Sequence, residues 1–228
     1  MIAERCPLKR VRISSLDPEE LSDRILEIIS HSAKFCPHLH LPLQSGHDET
    51  LSRMRRRYQR DYFRDRVERV LDAWPDAAIG TDLIVGFPGE TGTHFESYCD
   101  FVESMPLAYF HVFPYSVRVG TTAAKFSGRV KPAEIKQRAA LMRELGERKR
   151  VEFARRFVGT KLKVLLEERG PDGKLRGYSR NYVRVSTQGP DELTNREVEV
   201  EASTVEGIQL VGEIVRPWAD GMACGGAS

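Results

Sequence analysis

The chain has 228 residues, of which 40% are hydrophobic and 30% charged, and its formal net charge is +2 at pH 7. This composition supports a packed core in one large domain or in a medium and a small one. It excludes a disordered chain, and the balanced charge alone identifies neither a nucleic-acid nor a membrane partner. The four cysteines, Cys6, Cys36, Cys99 and Cys224, are too widely spaced for a zinc knuckle or an iron–sulfur run, which favours a reducing cytoplasm. No apolar run reaches the roughly 18 residues of a transmembrane helix, so we expect no membrane partner.

Strand-like and helix-like segments alternate over residues 1–157. Short apolar runs predict strands at residues 9–13, 39–43, 77–85 and 108–115. Helical periodicity predicts helices at residues 18–31, 61–74, 93–104 and 131–157. The first helix is expected to be capped by Asp17, with Pro18 in its first position and Glu20 completing a capping box. This alternation predicts parallel βα units, in either a barrel or a doubly wound sheet.

After residue 157 the pattern changes to short strands separated by Gly, Pro, Asp and Asn. These strands are predicted at residues 161–166, 182–187, 197–202 and 208–215. A hairpin turn is predicted at Gly170-Pro171-Asp172-Gly173. We therefore expect an α/β domain at residues 1–157, a small all-β barrel at 158–217 and a flexible tail at 218–228.

Ligands of parallel βα folds bind where loops follow the carboxyl ends of the strands. Four such loops carry small or polar residues able to hold a ribose, a carboxylate or a phosphate, and they are residues 14–15, 44–46, 86–91 and 115–120. Each can also be an ordinary turn. Residues 86–91 (GFPGET) can simply precede a helix capped by Thr91, and they are not a P-loop because no Lys-Ser/Thr follows the glycines.

Two further clusters have competing interpretations. His38 and His40 share one face of a strand and can bind a metal, but no acidic or cysteine partner is suggested by spacing. We therefore predict no metal site and expect one histidine to hydrogen-bond inside the barrel. Between Arg169 and Arg184, five basic residues and one acidic residue are interleaved with tyrosines. This pattern is typical of an oligonucleotide-binding surface, and its candidate RNA-binding residues are Arg176, Tyr178, Arg180, Tyr182 and Arg184.

Five segments together resemble one known family. They read RISSLDP at 12–18, CPHLHLPLQSG at 36–46, RMRRRY at 53–58, TDLIVGFPGET at 81–91 and HVFPYSVRVGT at 111–121. The combination resembles the radical-SAM tRNA methylthiotransferases over about residues 10–215. Residues 37–43 and 111–115 are most similar to the branch that methylthiolates N6-threonylcarbamoyladenosine at position 37 of tRNA. The resemblance implies a partial radical-SAM (βα) barrel of about four units, followed by a TRAM domain, a small OB-like barrel that binds tRNA.

The resemblance also implies a chemistry. In this family a 4Fe–4S cluster cleaves S-adenosylmethionine to a 5′-deoxyadenosyl radical, and a second cluster supplies sulfur to C2 of the adenosine. By position, the S-adenosylmethionine pocket would be lined by Ser14, Gln44, Ser45, Val85, Gly86, Phe87, Phe113, Tyr115 and Ser116. Arg118 would lie at the rim, near the tRNA.

This sequence departs from the family at the residues that hold the clusters. It has no CxxxCxxC loop and no three-cysteine N-terminal domain, and Cys36 is not a cluster ligand. The loop at 115–122 has also lost three prolines of the family's pattern, which loosens it. We therefore expect a C-terminal fragment that is inactive alone, needs the missing N-terminal part as a partner and exposes an apolar barrel interior. The alternatives are a noncatalytic RNA-binding protein with a vestigial half-barrel and an unrelated βα enzyme that uses His38 and His40.

Overall fold

The computed structural model describes residues 7–217, so the predicted tail at 218–228 lies outside the described residues. The chain divides into two compact units, Met1–Arg150 and Val151–Ser228. The longest helix spans this division, and the domain boundary predicted near residues 157–160 follows directly after that helix and stays a prediction. Within residues 7–217, none of the helices combines the length and the apolar character needed to cross a bilayer.

The first unit is built on a three-stranded parallel sheet in the order β1-β2-β3. Its strands are β1 (His38–His40), β2 (Ala78–Val85) and β3 (Tyr109–Pro114). Parallel neighbours need long crossover connections, and three of the five helices supply them, two between β1 and β2 and one between β2 and β3. The helices are α1 (Asp23–Ser30), α2 (Asp48–Arg53), α3 (Arg60–Ala73), α4 (Gly92–Ser104) and α5 (Pro132–Arg155). The predicted α/β class is confirmed, and the helix N-cap predicted at Thr91 is formed by its side chain, which accepts from the His94 N–H.

Of the four predicted βα repeats, the first is wrong, because its strand does not form. Residues 9–13 make a single isolated parallel bridge, from Val11 to Phe35, instead of a strand. The predicted first helix is also shorter. The Asp17 N–H does donate to Glu20 Oε2 over 3.3 Å, but this bond closes a turn, and the helix begins only after Ser22, whose Oγ accepts from the Ile25 N–H. A capping box can thus stabilise a turn where the chain does not continue as a helix.

Alternate strand residues face opposite sides of the sheet. One side packs against the helices in a continuous apolar core that includes the fully buried Leu39, Ile79 and Leu83. The other side carries histidines and an aspartate, with His40 buried and His111 exposed. The expectation that the fragment exposes an apolar barrel interior is therefore wrong, because the side chains on this face are mainly polar and aromatic.

The second unit contains a closed five-stranded barrel in the order β4-β5-β6-β8-β7. The strands are β4 (Lys161–Arg169), β5 (Leu175–Ser179), β6 (Arg184–Thr187), β7 (Glu197–Glu206) and β8 (Gln209–Pro217). The predicted hairpin joins β4 to β5, and the Gly173 N–H donates to the Gly170 carbonyl over 3.0 Å. The sequence pattern missed β5 because Arg, Gly and Ser interrupt its apolar residues. Gly177 is required there, since a Cβ at this position would lie 1.9 Å from the Leu165 carbonyl oxygen.

Candidate functional site

A cavity of about 460 Å³ lies at the carboxyl ends of β2 and β3, where parallel βα folds bind ligands. Four of the predicted cofactor-binding residues line it, and they are Gln44, Phe113, Tyr115 and Ser116. Arg118, predicted at the rim, lines it as well. The fold thus brings together residues from two distant segments of the sequence, around a space large enough for part of a nucleoside.

Gln44 has a strained backbone that the sheet holds in place. Its φ angle is 72°, in the left-handed region that costs a residue other than glycine about 1–3 kcal/mol. Its N–H donates to the Asp82 carbonyl over 2.8 Å, and its own carbonyl accepts from the Ile84 N–H over 2.9 Å. The β2 strand therefore fixes the point at which the Gln44 side chain leaves the chain. Strain of this kind clusters at ligand sites.

The other predicted cofactor-binding residues do not line this cavity. Ser45 is fully buried, and its Oγ accepts from the His47 N–H over 3.3 Å. Val85 is buried in the core, and Phe87 packs edge-on against the Tyr115 ring with centroids 5.2 Å apart. Ser14 is exposed in the irregular segment before α1. Ser45, Val85 and Phe87 therefore lie where they support the cavity wall.

Gly86 borders a second cavity of about 690 Å³, between the strand ends and the start of α5. Its N–H donates to Glu90 Oε1 over 2.9 Å, and the same oxygen accepts from Arg138 Nη1 over 2.6 Å. Burial raises the pKa of the Glu90 carboxyl, while hydrogen bonds from Arg138 and the Gly86 N–H oppose the rise. This buried pair fixes the GFPGET turn to α5, and the sequence patterns did not reveal it.

The polar face of the sheet contains a connected network. Tyr109 Oη lies 2.8 Å from His38 Nε2 and 3.3 Å from His40 Nδ1, while His40 Nε2 lies 3.2 Å from Asp82 Oδ1. Gly80 makes room for the Tyr109 ring, because a Cβ there would lie 2.2 Å from its Cζ. Both predicted histidines therefore hydrogen-bond on this face. Burial, aided by the charges of Arg12 and His40, lowers the pKa of His38 to about 3, and burial also lowers the pKa of His111.

The cysteines of the described residues do not suit an iron–sulfur cluster. Within residues 7–217 they are Cys36, which is 2% exposed, and Cys99 on α4. Burial raises the pKa of the Cys99 thiol to about 11, whereas a cluster ligand must be a thiolate. A cluster of this family would need thiolates from other residues.

In the barrel, the predicted RNA-binding residues lie on β5, on β6 and in the turn between them. The rings of Tyr178 and Tyr182 are stacked with centroids 4.8 Å apart, and Tyr178 is directly opposite Arg184 in the register. The three arginines all reach acidic partners, in the pairs Arg176–Asp172 at 3.0 Å, Arg180–Glu197 at 2.9 Å and Arg184–Glu168 at 3.3 Å. The strands therefore present an aromatic pair within a set of ion pairs, which is less cationic than the sequence suggested.

Comparisons with known proteins agree with the motifs. Residues 2–102 match the radical SAM superfamily. The chain is 34% identical over 197 residues to the threonylcarbamoyladenosine tRNA methylthiotransferase of Bacillus subtilis, covering 85% of this chain and 44% of that protein. It is 35% identical over 199 residues to the Thermotoga maritima protein of the same name, covering 87% and 46%.

A second branch matches as well. The chain is 40% identical over 190 residues to the tRNA-2-methylthio-N(6)-dimethylallyladenosine synthase of a Parafrankia species, covering 80% of this chain and 38% of that protein. Among solved structures, the coproporphyrinogen III oxidase of Escherichia coli, described as a radical SAM enzyme, aligns with a TM-score of 0.50 and 13% identity, covering 85% of this chain and 46% of that one. This likeness shows a shared fold. The chain spans about half the length or less of these curated relatives, and over most of its own length it is a relative of the radical-SAM tRNA methylthiotransferases, as the motifs predicted.

Proposed function

We propose that the chain forms the S-adenosylmethionine-binding and tRNA-binding part of a cytoplasmic tRNA methylthiotransferase. The observation that carries the proposal is the cavity at the ends of β2 and β3, where Gln44, Phe113, Tyr115 and Ser116 converge in a relative of such enzymes. The catalytic step needs iron–sulfur clusters, whose thiolate ligands would come from residues other than Cys36 and Cys99.

The side chains around the cavity fit an adenosine-bearing cofactor. Phe113 is 49% exposed, so its ring offers an accessible apolar surface beside the carboxamide of Gln44 and the hydroxyl of Ser116. Aromatic rings and a few polar groups are the usual lining of small-molecule sites. The resemblance implies that S-adenosylmethionine supplies the 5′-deoxyadenosyl radical, and we assign these residues to its binding and orientation.

The second unit is assigned to tRNA as a TRAM-like, OB-like barrel. The stacked pair of Tyr178 and Tyr182 offers an aromatic face, because Tyr182 is 37% exposed. Arg184, across the register from Tyr178, adds a cation beside it. Base stacking on such rings contributes about 1–3 kcal/mol per base. We therefore expect the Tyr178–Tyr182 pair to hold an unstacked base of the tRNA, with Arg118 of the first unit as a further contact.

The proposed substrate is N6-threonylcarbamoyladenosine at position 37, modified at C2 to the 2-methylthio product. Residues 37–43 and 111–115 support this branch, as do the relatives from Bacillus subtilis and Thermotoga maritima. The decisive measurement is mass spectrometry of nucleosides from tRNA of cells that lack the gene. Loss of 2-methylthio-N6-threonylcarbamoyladenosine is the expected result. Loss of the 2-methylthio-dimethylallyl nucleoside instead would refute the substrate, and an unchanged nucleoside profile would refute the enzyme assignment.

The second candidate is a noncatalytic RNA-binding protein, which the cysteine pattern favours. Titration of the isolated chain with S-adenosylmethionine separates the two, since only the first function requires a cofactor site. We expect saturable binding that Gln44→Ala weakens, and no saturable binding would favour the noncatalytic role. For tRNA, the test variant is Tyr182→Asn, because asparagine tolerates the φ of 63° at this position. This substitution should weaken tRNA binding about tenfold. Ile208→Ala, at an exposed site of the same unit, is the matched control and should leave binding unchanged.

A further inference from the structure

We propose that His40, Asp82 and His111 form a binding site for one divalent transition-metal ion on the polar face of the parallel sheet. Each residue offers one ligand atom, and the three atoms lie within 4.8 Å of one another. They come from three adjacent strands, with Asp82 directly opposite His111 in the β2–β3 register. Two imidazoles and one carboxylate are a donor set that suits Zn²⁺, Co²⁺ or Fe²⁺ rather than Mg²⁺ or Ca²⁺.

The distances are close to those of a coordination sphere. Ligand atoms about 2.0–2.2 Å from one metal lie about 3–3.5 Å from each other, and His40 Nε2 is already 3.2 Å from Asp82 Oδ1. His111 is exposed, so its ring can turn the remaining distance without disturbing the core. Because His40 and Asp82 sit on hydrogen-bonded strands, two of the three ligands are positioned by the sheet itself.

Hydrogen bonds behind the His40 ring orient it for metal binding. Metal-binding histidines typically engage their second nitrogen with another group, which fixes the ring and leaves the first nitrogen directed at the metal. Here His40 Nδ1 lies 3.3 Å from Tyr109 Oη, and the same oxygen lies 2.8 Å from His38 Nε2. His38 is thus a positioning residue and not a ligand, which departs from the pairing of His38 with His40 suggested by their spacing.

The metal would retain an open coordination position that a ligand can reach. Three protein ligands with a free position are typical of reactive metal sites, in contrast to the four of structural sites. Asp82 also lines the 460 Å³ cavity at the strand ends. A water molecule or an anionic group of a molecule in that cavity can therefore complete the coordination sphere. This inference does not depend on methylthiotransferase activity.

The test is to titrate the untagged full chain with two ions. Binding of Co²⁺ is measured by visible absorption, and binding of Zn²⁺ is measured by calorimetry. We expect one equivalent to bind, with Asp82→Asn and His111→Ala each weakening the affinity at least about tenfold. The matched control is His94→Ala. His94 stacks on His47 with ring centroids 4.0 Å apart and lies 3.5 Å from Glu49, so it belongs to a second histidine-containing cluster, and its loss should leave the affinity unchanged.

Three results would overturn the proposal. The first is no stoichiometric binding of either ion. The second is binding whose affinity is unchanged in Asp82→Asn and His111→Ala, and its loss in His94→Ala would then assign the ion to the cluster of His47, Glu49 and His94. The third is a strong near-ultraviolet thiolate-to-cobalt charge-transfer band, which would assign the ion to cysteines. Circular dichroism of each variant verifies that the fold is retained, and His111→Ala keeps the test decisive because the His111 side chain is exposed.

Discussion

Replacing Arg138 by Met should strongly destabilise the first unit. The Arg138 side chain is 5% exposed and that of Glu90 is 1% exposed, with Nη1 and Oε1 only 2.6 Å apart. Arg138 Nη1 also donates to the Glu90 carbonyl over 3.0 Å. Removing one partner leaves a buried carboxylate without its counter-charge, and such changes cost about 3–5 kcal/mol. Methionine retains most of the apolar packing, including contact with the Phe95 ring that the guanidinium covers at 5.1 Å.

The assay is urea unfolding of the full chain followed by Trp74 fluorescence, in a Trp218→Phe background so that one fluorophore reports on the first unit. The matched control is Glu134→Gln. It removes the second carboxylate that pairs with Arg138, and the Glu134 side chain is 45% exposed. Exposed ion pairs contribute about 0–1 kcal/mol, so this change should be small. A loss for Arg138→Met no larger than that of the control would refute the reasoning.

Two further measurements identify the uncompensated charge as the cause. Adding Glu90→Gln to Arg138→Met should recover part of the lost stability, because a neutral amide needs no counter-charge, so the two changes should be non-additive. Without the arginine, the folded-state pKa of Glu90 should rise further above its ordinary value. The folded variant then binds the Glu90 proton more tightly than the unfolded chain does. Its free energy of unfolding is therefore highest below the ordinary pKa of the carboxyl and falls as the pH rises through the raised pKa of the folded state. The Arg138→Met defect should therefore shrink towards acid pH, and a defect that grows on acidification would contradict this account.

Two more predictions concern the barrel and a buried tyrosine. Gly177→Ala should destabilise the second unit by about 3 kcal/mol, because the new Cβ would lie 1.9 Å from the Leu165 carbonyl oxygen. Gly92→Ala, which meets nothing within 4 Å, is the control, and equal melting temperatures for the two variants would refute the prediction. Burial raises the pKa of Tyr58 to about 12, and its hydroxyl donates to the Pro42 carbonyl over 2.6 Å. The difference in ultraviolet titration between wild type and Tyr58→Phe should show this late ionisation, with stability lost as the pH rises from about 10 to 12. A difference midpoint near 10 would contradict it.

Local sequence patterns predicted the type of most elements but not their limits. The helix predicted at 61–74 is α3, and the one at 93–104 is α4, because apolar periodicity and flanking stop signals act within each segment. The strand predicted at 9–13 failed because a strand exists only through its partners, and Val11 finds a single bridge to Phe35. The strand β5 was missed for the opposite reason. Its pairing with β4 and β6 overrides a weak local preference.

The sequence by itself determined the change from βα units to a small β-barrel, the motifs shared with the methylthiotransferases and the lack of a clustered cysteine run. These properties reside in residues close together in the chain, where spacing and residue type are sufficient. Only the tertiary structure decided which side chains meet. The spacing of His38 and His40 suggested no acidic partner, yet the parallel register places Asp82 3.2 Å from His40 and opposite His111. The physical reason is that strand pairing brings together residues from separate crossover units, and local periodicity does not specify how those strands are aligned.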